Sequence, residues 1–266
     1  MKKILIAALV ALILIATFQV LEIGDFDNNE NRIYREIALN YKDKTPEFWN
    51  ENVPGVVTKV DTDEKIAFLT LDACADEYDR ELIDYLKSQE IPATLFVASP
   101  WLEENKDVFM DLDKNPLFSI AGHGEKHIPL SVDGSEVYGE KGTESPKEVI
   151  DEVVLNKERL EGVTNEDINY FRSGTAHYDE LAVSIVNDLD LNVIGFTVVG
   201  DGGATFSKEQ IKEAFMGVEP GGIILAHMNR PDSEIAEGVQ TGIDALQDKG
   251  FEFKLLEDYE DDFILY

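Results

Sequence analysis

Four histidines supply the side chains in this sequence that are best suited to metal binding and proton transfer. His123 and His127 form a His-x-x-x-His pair in the segment Gly-His-Gly-Glu-Lys-His. His227 closes the apolar run Gly-Gly-Ile-Ile-Leu-Ala, and His177 follows Phe-Arg-Ser-Gly-Thr-Ala. Imidazole is the commonest metal ligand and the side chain best suited to proton transfer near neutral pH. Their placement predicts the site of a metal-dependent hydrolase.

The elements that position these residues follow from the hydrophobic pattern. Short apolar runs bounded by polar breaks predict strands, and apolar residues that recur every three or four positions predict helices. The predicted strands cover 66–71, 93–97, 118–121, 169–171, 193–199, 222–226 and 251–256. The predicted helices cover 32–41, 79–88, 146–160, 178–189, a segment capped by Ser207, and 235–249.

The alternation of strand and helix predicts an α/β fold with a mostly parallel sheet. With 266 residues, the chain suits a single domain of barrel size, and we predict a distorted (β/α) barrel. The polar residues that occur just after predicted strands are Asp72, His123, Arg172, Asp201 and His227. In a closed barrel the carboxyl ends of the strands converge on one face, where the active site lies. We therefore expect these five side chains to meet there.

The composition excludes one class of partner. The chain has 54 acidic and 23 basic residues, a formal net charge of −31. Phosphate binding needs a basic surface, so nucleic acid is excluded as a partner. The single cysteine, Cys74, leaves no intramolecular disulfide, and the fold must be held by its core.

The first residues resemble an export signal. A positive start, Met1-Lys2-Lys3, precedes an unbroken apolar run over 4–16, and apolar character continues to about residue 23. We predict that 1–23 is a Sec signal peptide or, because its length approaches the roughly 20 residues that span a bilayer, an uncleaved membrane anchor. The protein is then exported and touches membrane only through this segment. Residues 24–64 are predicted as an acidic lead-in that packs on the main domain, 65–266.

Five motifs occur in order along the main domain. They are Thr70-Leu71-Asp72-Ala73-Cys74, His123 to His127, Phe171-Arg172-Ser173-Gly174-Thr175, Asp201, and Leu225-Ala226-His227. In type and order they resemble the motifs of the polysaccharide deacetylases, the NodB-like carbohydrate esterases of family 4. That family reads Thr-Phe-Asp-Asp-Gly, His-x-x-x-His, an Arg-x-Pro-Tyr block, Asp-x-x-Asp-Trp and Leu-x-His. Any one motif is weak, but five in order are specific. The first is most similar to that of the divergent subgroup that reads Asp-Ala-Cys.

The resemblance implies roles for individual residues. It implies a divalent metal held by His123 and His127, and ligands of this type favour Zn²⁺. The implied catalytic residues are Asp72 as base, Arg172 and Asp201 as the residues that orient and tune it, and His227 as acid. The implied substrate contacts are Leu225 in the acetyl pocket, the backbone amide of Thr175 at the oxyanion, and His177. Amide hydrolysis needs these three functions: an activated water, an electrophile for the carbonyl oxygen and an acid for the departing amine.

The chain departs from the family at its metal-binding aspartate, which is Ala73 here. We predict that Asp72 moves into the metal shell. The alternatives are Asp76, Asp79, Cys74 or water as the third ligand, or a lost metal. The Pro-Tyr pair and the tryptophan of the fourth motif are also missing, which alters the substrate groove.

The sequence therefore predicts an exported, metal-dependent deacetylase that removes acetyl groups from an amino sugar or polysaccharide. The bond cleaved is an amide, with ester hydrolysis as a related activity. One alternative is a non-catalytic glycan-binding or scaffold protein that kept the fold after losing its metal aspartate. Another is an acyl hydrolase that uses Cys74 as its nucleophile.

Overall fold

The computed structural model describes residues 29–75, 77–164 and 166–266. Its α-helices are α1 (Asn29–Tyr41), α2 (Arg80–Ser88), α3 (Ser99–Glu104), α4 (Lys106–Asp113), α5 (Pro146–Glu161), α6 (Glu180–Asp188), α7 (Lys208–Met216) and α8 (Ile235–Asp248). Its strands are β1 (Val57–Val60), β2 (Ile66–Ala73), β3 (Ala93–Val97), β4 (Phe118–Gly122), β5 (Glu136–Val137), β6 (Glu140–Lys141), β7 (Tyr170–Phe171), β8 (Asn192–Val193), β9 (Val198–Val199), β10 (Gly222–His227), β11 (Glu252–Phe253) and β12 (Phe263–Leu265). A 3₁₀ segment covers Leu256–Asp262.

The predicted export segment, 1–23, lies outside the described residues, as does the lead-in up to residue 28. In the three described ranges, no helix has the length and apolar character needed to cross a membrane.

Ten of the strands form one curled sheet. Its order is β12-β1-β10-β2-β3-β4-β7-β8, with β11 beside β2 and β9 beside β10. The pairs from β10 to β8 are parallel, and β1 is antiparallel to both of its neighbours. The chain that follows β8 returns to β1, where Val57 bridges Ile194 and the amide of Gly195 donates to the carbonyl of Val57 at 2.7 Å. The curled sheet and its surrounding helices confirm the predicted distorted (β/α) barrel.

Alternation along β2 separates the barrel interior from the layer of helices. Phe68 lies in the interior cluster with Phe96, whereas Leu69 and Leu71 pack among the helices. Successive side chains of a strand point to opposite faces, so Asp72 falls on the same face as Phe68, at the carboxyl end of the strand. The pattern that builds the core thereby places a carboxylate at the mouth of the barrel.

Two predicted strands are shorter in the structure. The strand predicted at 193–199 is interrupted between β8 and β9. Within the break, the carbonyls of Ile194 and Gly195 accept hydrogen bonds from Arg172, each at 3.0 Å. The strand predicted at 251–256 is reduced to β11, because Leu256 begins the 3₁₀ segment and is buried in the interior cluster. The predictions also missed α3, α4, β1, β12 and the β5–β6 hairpin.

The segment before residue 65 is packed against the barrel. Ile37 and Tyr41 of α1 lie in a buried cluster with Val149 of α5 and Val183 of α6. The sheet itself includes β1, so it begins at Val57, inside the segment that the sequence assigns to the lead-in.

Candidate active site

Asp72 and Arg172 form a buried ion pair at the mouth of the barrel. Asp72 lies near the carboxyl end of β2 and is 3% exposed. Arg172 directly follows β7 and is fully buried. Nη1 of Arg172 donates to Oδ1 of Asp72 at 2.8 Å and to Thr70 Oγ1 at 3.0 Å. Its guanidinium carbon lies 4.1 Å from the ring centroid of Phe96. The ion pair places Arg172 where it can orient Asp72, the role that the resemblance implies for it.

The charges around Asp72 keep it ionised. Burial alone would raise the pKa of Asp72, but Arg172, His123 and His227 together lower it below its ordinary value. An ionised carboxylate that is held rigidly by a planar guanidinium is a suitable proton acceptor.

The loop that carries His123 and His127 is held by two buried polar side chains of α5. Oδ1 of Asn156 accepts from the amides of His123 and Gly124 at 3.0 and 3.1 Å. Oε1 of Glu152 accepts from the amide of Lys126 at 2.9 Å. Glu152 is 2% exposed and Asn156 is fully buried. Side chains of the helix therefore hold both ends of the His-x-x-x-His segment by accepting hydrogen bonds from the backbone amides of the loop.

His127 adopts a conformation that few side chains adopt without support. Its φ is 61°, in the left-handed region, which costs a non-glycine residue free energy unless the surroundings impose it. Gly174 makes the fit possible, because a Cβ there would collide with the carbonyl of His127. The ring centroid of His127 then lies 4.8 Å from that of His123.

Cys74, His123 and His127 form a cluster of metal-binding atoms. One donor atom from each lies within 4.8 Å of the other two. Nδ1 of His123 lies 2.9 Å from the carbonyl of Arg172, which fixes the proton on Nδ1 and leaves Nε2 as the acceptor nitrogen. Nε2 lies 3.6 Å from Sγ of Cys74. Nε2 of His127 is buried and has no hydrogen-bond partner among the described residues. These donors fit a divalent ion.

The surroundings of Cys74 favour ionisation of its thiol. Burial would raise its pKa, but interactions with His123, His127 and His227 lower it well below the usual value. The thiolate is the form that binds metals. Cys74 thus supplies the third donor, which the sequence left open among several residues.

Asp72, predicted as that third donor, lies outside the cluster. Its Oδ1 is occupied by Arg172, and its Oδ2 is 3.7 Å from Nε2 of His123. Of the other candidates, Asp79 caps α2, with Oδ1 accepting from the amide of Leu82 at 3.0 Å. Asp76 lies outside the described residues.

His227 pairs with Asp201. Nδ1 of His227 lies 2.9 Å from Oδ2 of Asp201. The same Oδ2 accepts a hydrogen bond from the backbone amide of His227 at 2.8 Å. Burial lowers the pKa of His227, but Asp201 and Cys74 raise it well above the usual value. The expected role of Asp201 is therefore corrected. It contacts and orients the histidine rather than Asp72, because it lies directly against the end of β10.

A cleft of about 500 Å³ opens over Asp72 and His227. Asp72, His227, Leu225 and Thr175 line it, so both substrate contacts predicted in the motifs reach the same space as the base and the acid. His177 is not among the lining residues. Its Nδ1 lies 2.9 Å from the carbonyl of Thr175, which places it behind the cleft wall.

Sequence reasoning missed Glu152 and Asn156. A signal was available, because both fall on the apolar face of α5, four residues apart and between Val149 and Leu160. A buried polar residue in such a stripe needs a partner, and here the partner is the backbone of the histidine loop.

Comparisons with known proteins agree with the fold. A family model for polysaccharide deacetylases matches residues 59–194, just over half of the chain. A family 4 carbohydrate esterase pseudoenzyme from Bacillus anthracis is 21% identical, with a TM-score of 0.65 over 79% of this chain and 70% of that one. A family 4 carbohydrate esterase from Bacillus anthracis is 20% identical, with a TM-score of 0.61 over 86% of this chain and 92% of that one. PdaA of Bacillus subtilis, also a family 4 carbohydrate esterase, is 19% identical, with a TM-score of 0.64 over 78% of this chain and 85% of that one. No curated protein matches the chain.

Proposed function

Since the chain belongs to the polysaccharide deacetylase family, we propose that it is a metal-dependent hydrolase that removes acetyl groups from an amino sugar or polysaccharide. One observation carries the proposal. The Asp72 carboxylate and His227, whose pKa is raised, line one cleft, and Nε2 of His123, in the cluster of three metal donors, lies 3.7 Å from that carboxylate.

Cys74, His123 and His127 would hold the metal. Thiolate and imidazole donors suit Zn²⁺ better than the oxygen-preferring ions Mg²⁺, Ca²⁺ and Mn²⁺. Bound there, a divalent ion supplies Lewis acidity, which polarises an acyl carbonyl and acidifies water.

The protein's own groups would move the protons. Asp72 accepts a proton from the attacking water, and Arg172 keeps the carboxylate ionised and oriented for that step. His227 donates a proton to the leaving nitrogen as the C–N bond breaks, with Asp201 holding its Nδ1. An amine leaves poorly unless it is protonated, so the raised pKa of His227 suits this role. Leu225 and the backbone amide of Thr175 would contact the acetyl group and its oxyanion.

The direct test is acetate release from N-acetylated oligosaccharide by purified protein, with metal content measured in parallel. Removing the metal with a chelator should abolish turnover, and adding Zn²⁺ back should restore it. His227→Ala should keep its metal and lose roughly 10²–10⁴-fold in turnover, the usual contribution of a general acid. Loss of metal in that variant would make His227 a ligand instead.

A spectroscopic test addresses Cys74 without activity. Cobalt(II) bound to a thiolate gives a near-ultraviolet charge-transfer band that oxygen and nitrogen ligands do not give. The wild-type protein loaded with Co²⁺ should show the band, and Cys74→Ser should lack it at equal cobalt occupancy. If the two spectra are identical, Cys74 is not a ligand.

Two other functions can be distinguished from the metal-dependent deacetylase by experiment. Ala73 favours a non-catalytic glycan-binding protein, which would bind oligosaccharide and release no acetate at any metal loading. The lowered pKa of Cys74 would also suit a nucleophile. In that case, thiol blocking inactivates the protein whereas chelation leaves it active.

The proposed location is outside the cytoplasm, on the strength of the apolar run over 4–16. Expression of the full chain, followed by fractionation and N-terminal sequencing, separates a cleaved signal from a retained anchor. Recovery of the intact chain in the cytoplasm would refute export.

A further inference from the structure

The helix α1 presents a basic stripe on the side that faces away from the barrel. Its other side is packed on α5 and α6 through the buried cluster described above. The stripe consists of four exposed residues at intervals of three, four and three positions, a spacing that places them along one face: Arg32, Arg35, Leu39 and Lys42. Leu39, within the stripe, is 58% exposed, so an apolar side chain faces solvent among cations.

The charge of this stripe differs from that of the rest of the chain. The sequence has 54 acidic and 23 basic residues, whereas 29–44 contain four basic and three acidic ones. Lys147 and Arg159 of α5 are each paired with a carboxylate. Neither Arg35 nor Lys42 has such a partner among the residues that the structure describes. The stripe can therefore attract anions, which the acidic surface as a whole repels.

An apolar groove of about 570 Å³ lies beside the stripe, between α1 and the start of α5. Ala38 and Leu39 line it on one side, and Pro146 and Ile150 line it on the other. An exposed apolar side chain flanked by Lys and Arg is typical of helices that lie in a membrane interface. The long basic side chains of such helices bury their stems and keep their charged ends at the headgroups.

The position of α1 in the chain indicates a lipid surface as the partner. The apolar run that the sequence assigns to an export signal or anchor ends at about residue 23, and α1 begins at Asn29. The intervening chain spans at most about 20 Å when fully extended. A retained anchor therefore keeps the start of α1 within that distance of the bilayer. Anionic headgroups have the charge that complements the stripe.

We propose that the outward face of α1 docks on an anionic lipid surface, with Leu39 entering the headgroup region and Arg35 and Lys42 contacting lipid phosphates. The inference goes beyond the proposed deacetylase activity and rests on retention of 1–23 as an anchor. Membrane contact then extends beyond the N-terminal segment to a folded helix. Because the same headgroups repel the acidic remainder of the surface, docking gives the barrel one orientation on the membrane.

Quenching by brominated lipids tests whether Leu39 enters the membrane. The full chain with Leu39→Trp is reconstituted into vesicles of phosphatidylglycerol and phosphatidylcholine, or of phosphatidylcholine alone, with bromine on the acyl chains of both. The wild type keeps Trp49 and Trp101, so its emission is subtracted. The added tryptophan should be quenched roughly twofold in anionic vesicles, because the apolar face of such a helix enters about 5–10 Å. It should be quenched little in neutral vesicles.

Salt and charge removal test the role of the cations. About 1 M salt shortens the Debye length to roughly 3 Å and should abolish the quenching in anionic vesicles. Arg35→Gln and Lys42→Gln, combined in the Leu39→Trp chain, should weaken docking roughly 25-fold, about fivefold for each cation near the surface. Both side chains are exposed, so urea unfolding of this variant should match that of Leu39→Trp alone.

Met216→Trp is the matched control for the added tryptophan. Met216 is 43% exposed on α7, which packs on α8, whereas α1 packs on α5 and α6. This tryptophan should not be quenched in either kind of vesicle. Equal quenching of Leu39→Trp and Met216→Trp, or equal quenching of Leu39→Trp in anionic and neutral vesicles, would overturn the proposal.

Other occupants of the groove give a different result. If Leu39→Trp is shielded from aqueous acrylamide in both kinds of vesicle and is not quenched by bromine, protein covers the face, either the chain's own apolar run or a second copy. That result would overturn the lipid surface, as would removal of 1–23 from the mature chain, which N-terminal sequencing detects. None of these measurements uses acetate release, so the deacetylase proposal stands or fails separately.

Discussion

The two sides of the candidate site are built on different principles. On the barrel side, the charge of Asp72 is already matched by Arg172, which also reaches Thr70 and two backbone carbonyls. On the loop side, Nε2 of His127 has no hydrogen-bond partner among the described residues, and His127 lies in the donor cluster with Cys74 and His123. The barrel side is complete without a metal, and the loop side is arranged for one. Substitutions on the first side should therefore act on folding, and those on the second on metal binding.

Arg172→Met should have the largest effect on folding. It removes one partner of a buried ion pair, which typically costs 3–5 kcal/mol because the other charge stays buried. The free energy of unfolding, from urea titration with a chelator present, measures the loss. Adding Asp72→Asn to the variant should recover part of it. No recovery would mean that the guanidinium's other hydrogen bonds, not the charge pair, carry the stability.

Glu152→Gln should change how stability depends on pH. Burial raises the pKa of Glu152 from 4.5 to about 7, and the loop amides offset this only in part. Between pH 4.5 and about pH 7, the folded protein keeps a proton on Glu152 that the unfolded chain has released. The free energy of unfolding therefore falls as the pH rises through this range. The loss totals about 3 kcal/mol by pH 8. Glutamine carries no such proton and can still accept from the amides.

We therefore expect metal-free wild type and Glu152→Gln to match near pH 4.5 and to diverge by about 3 kcal/mol in favour of the variant by pH 8. Parallel urea titrations at both pH values measure the difference. A constant gap across this range would show that Glu152 titrates normally and that the loop is held by hydrogen bonding alone.

The sequence predicted the barrel side better than the loop side, for a physical reason. Asp72, Arg172 and His227 lie at the carboxyl ends of strands, and a parallel sheet places the ends of its strands together whatever the loops do. The position of Cys74 depends on the path of the chain after β2, and that of His127 on a left-handed φ that Gly174 accommodates. No periodic pattern encodes either, so the sequence predicted a metal site and assigned its third donor to Asp72.

Metal linkage should distinguish the two sides directly. Zn²⁺ at a hundred times its Kd should raise the free energy of unfolding of the wild type by about 2.7 kcal/mol. At the same concentration, Cys74→Ser should lose most of that increment, because its donor is gone. His227→Ala should keep the increment, since His227 lies outside the donor cluster. Thermal unfolding with and without Zn²⁺ measures all three, and an unchanged increment in Cys74→Ser would remove the thiol from the site.

Asn156→Ala should have the smallest effect on stability of these variants, and it should weaken both folding and metal binding. Asn156 accepts from the amides of His123 and Gly124 and donates to Val97 and Ser99. Leaving these buried groups unpaired should cost about 2 kcal/mol of folding free energy. Because the loop also loosens around His123, affinity for Zn²⁺ should fall roughly tenfold, as outer-shell losses do. Chelator competition measures the affinity, and Glu158→Ala, an exposed change on the same helix, is the control. A stability loss with unchanged affinity would mean that the loop keeps its shape without the α5 clamp, and that Gly174 and the barrel alone position His123.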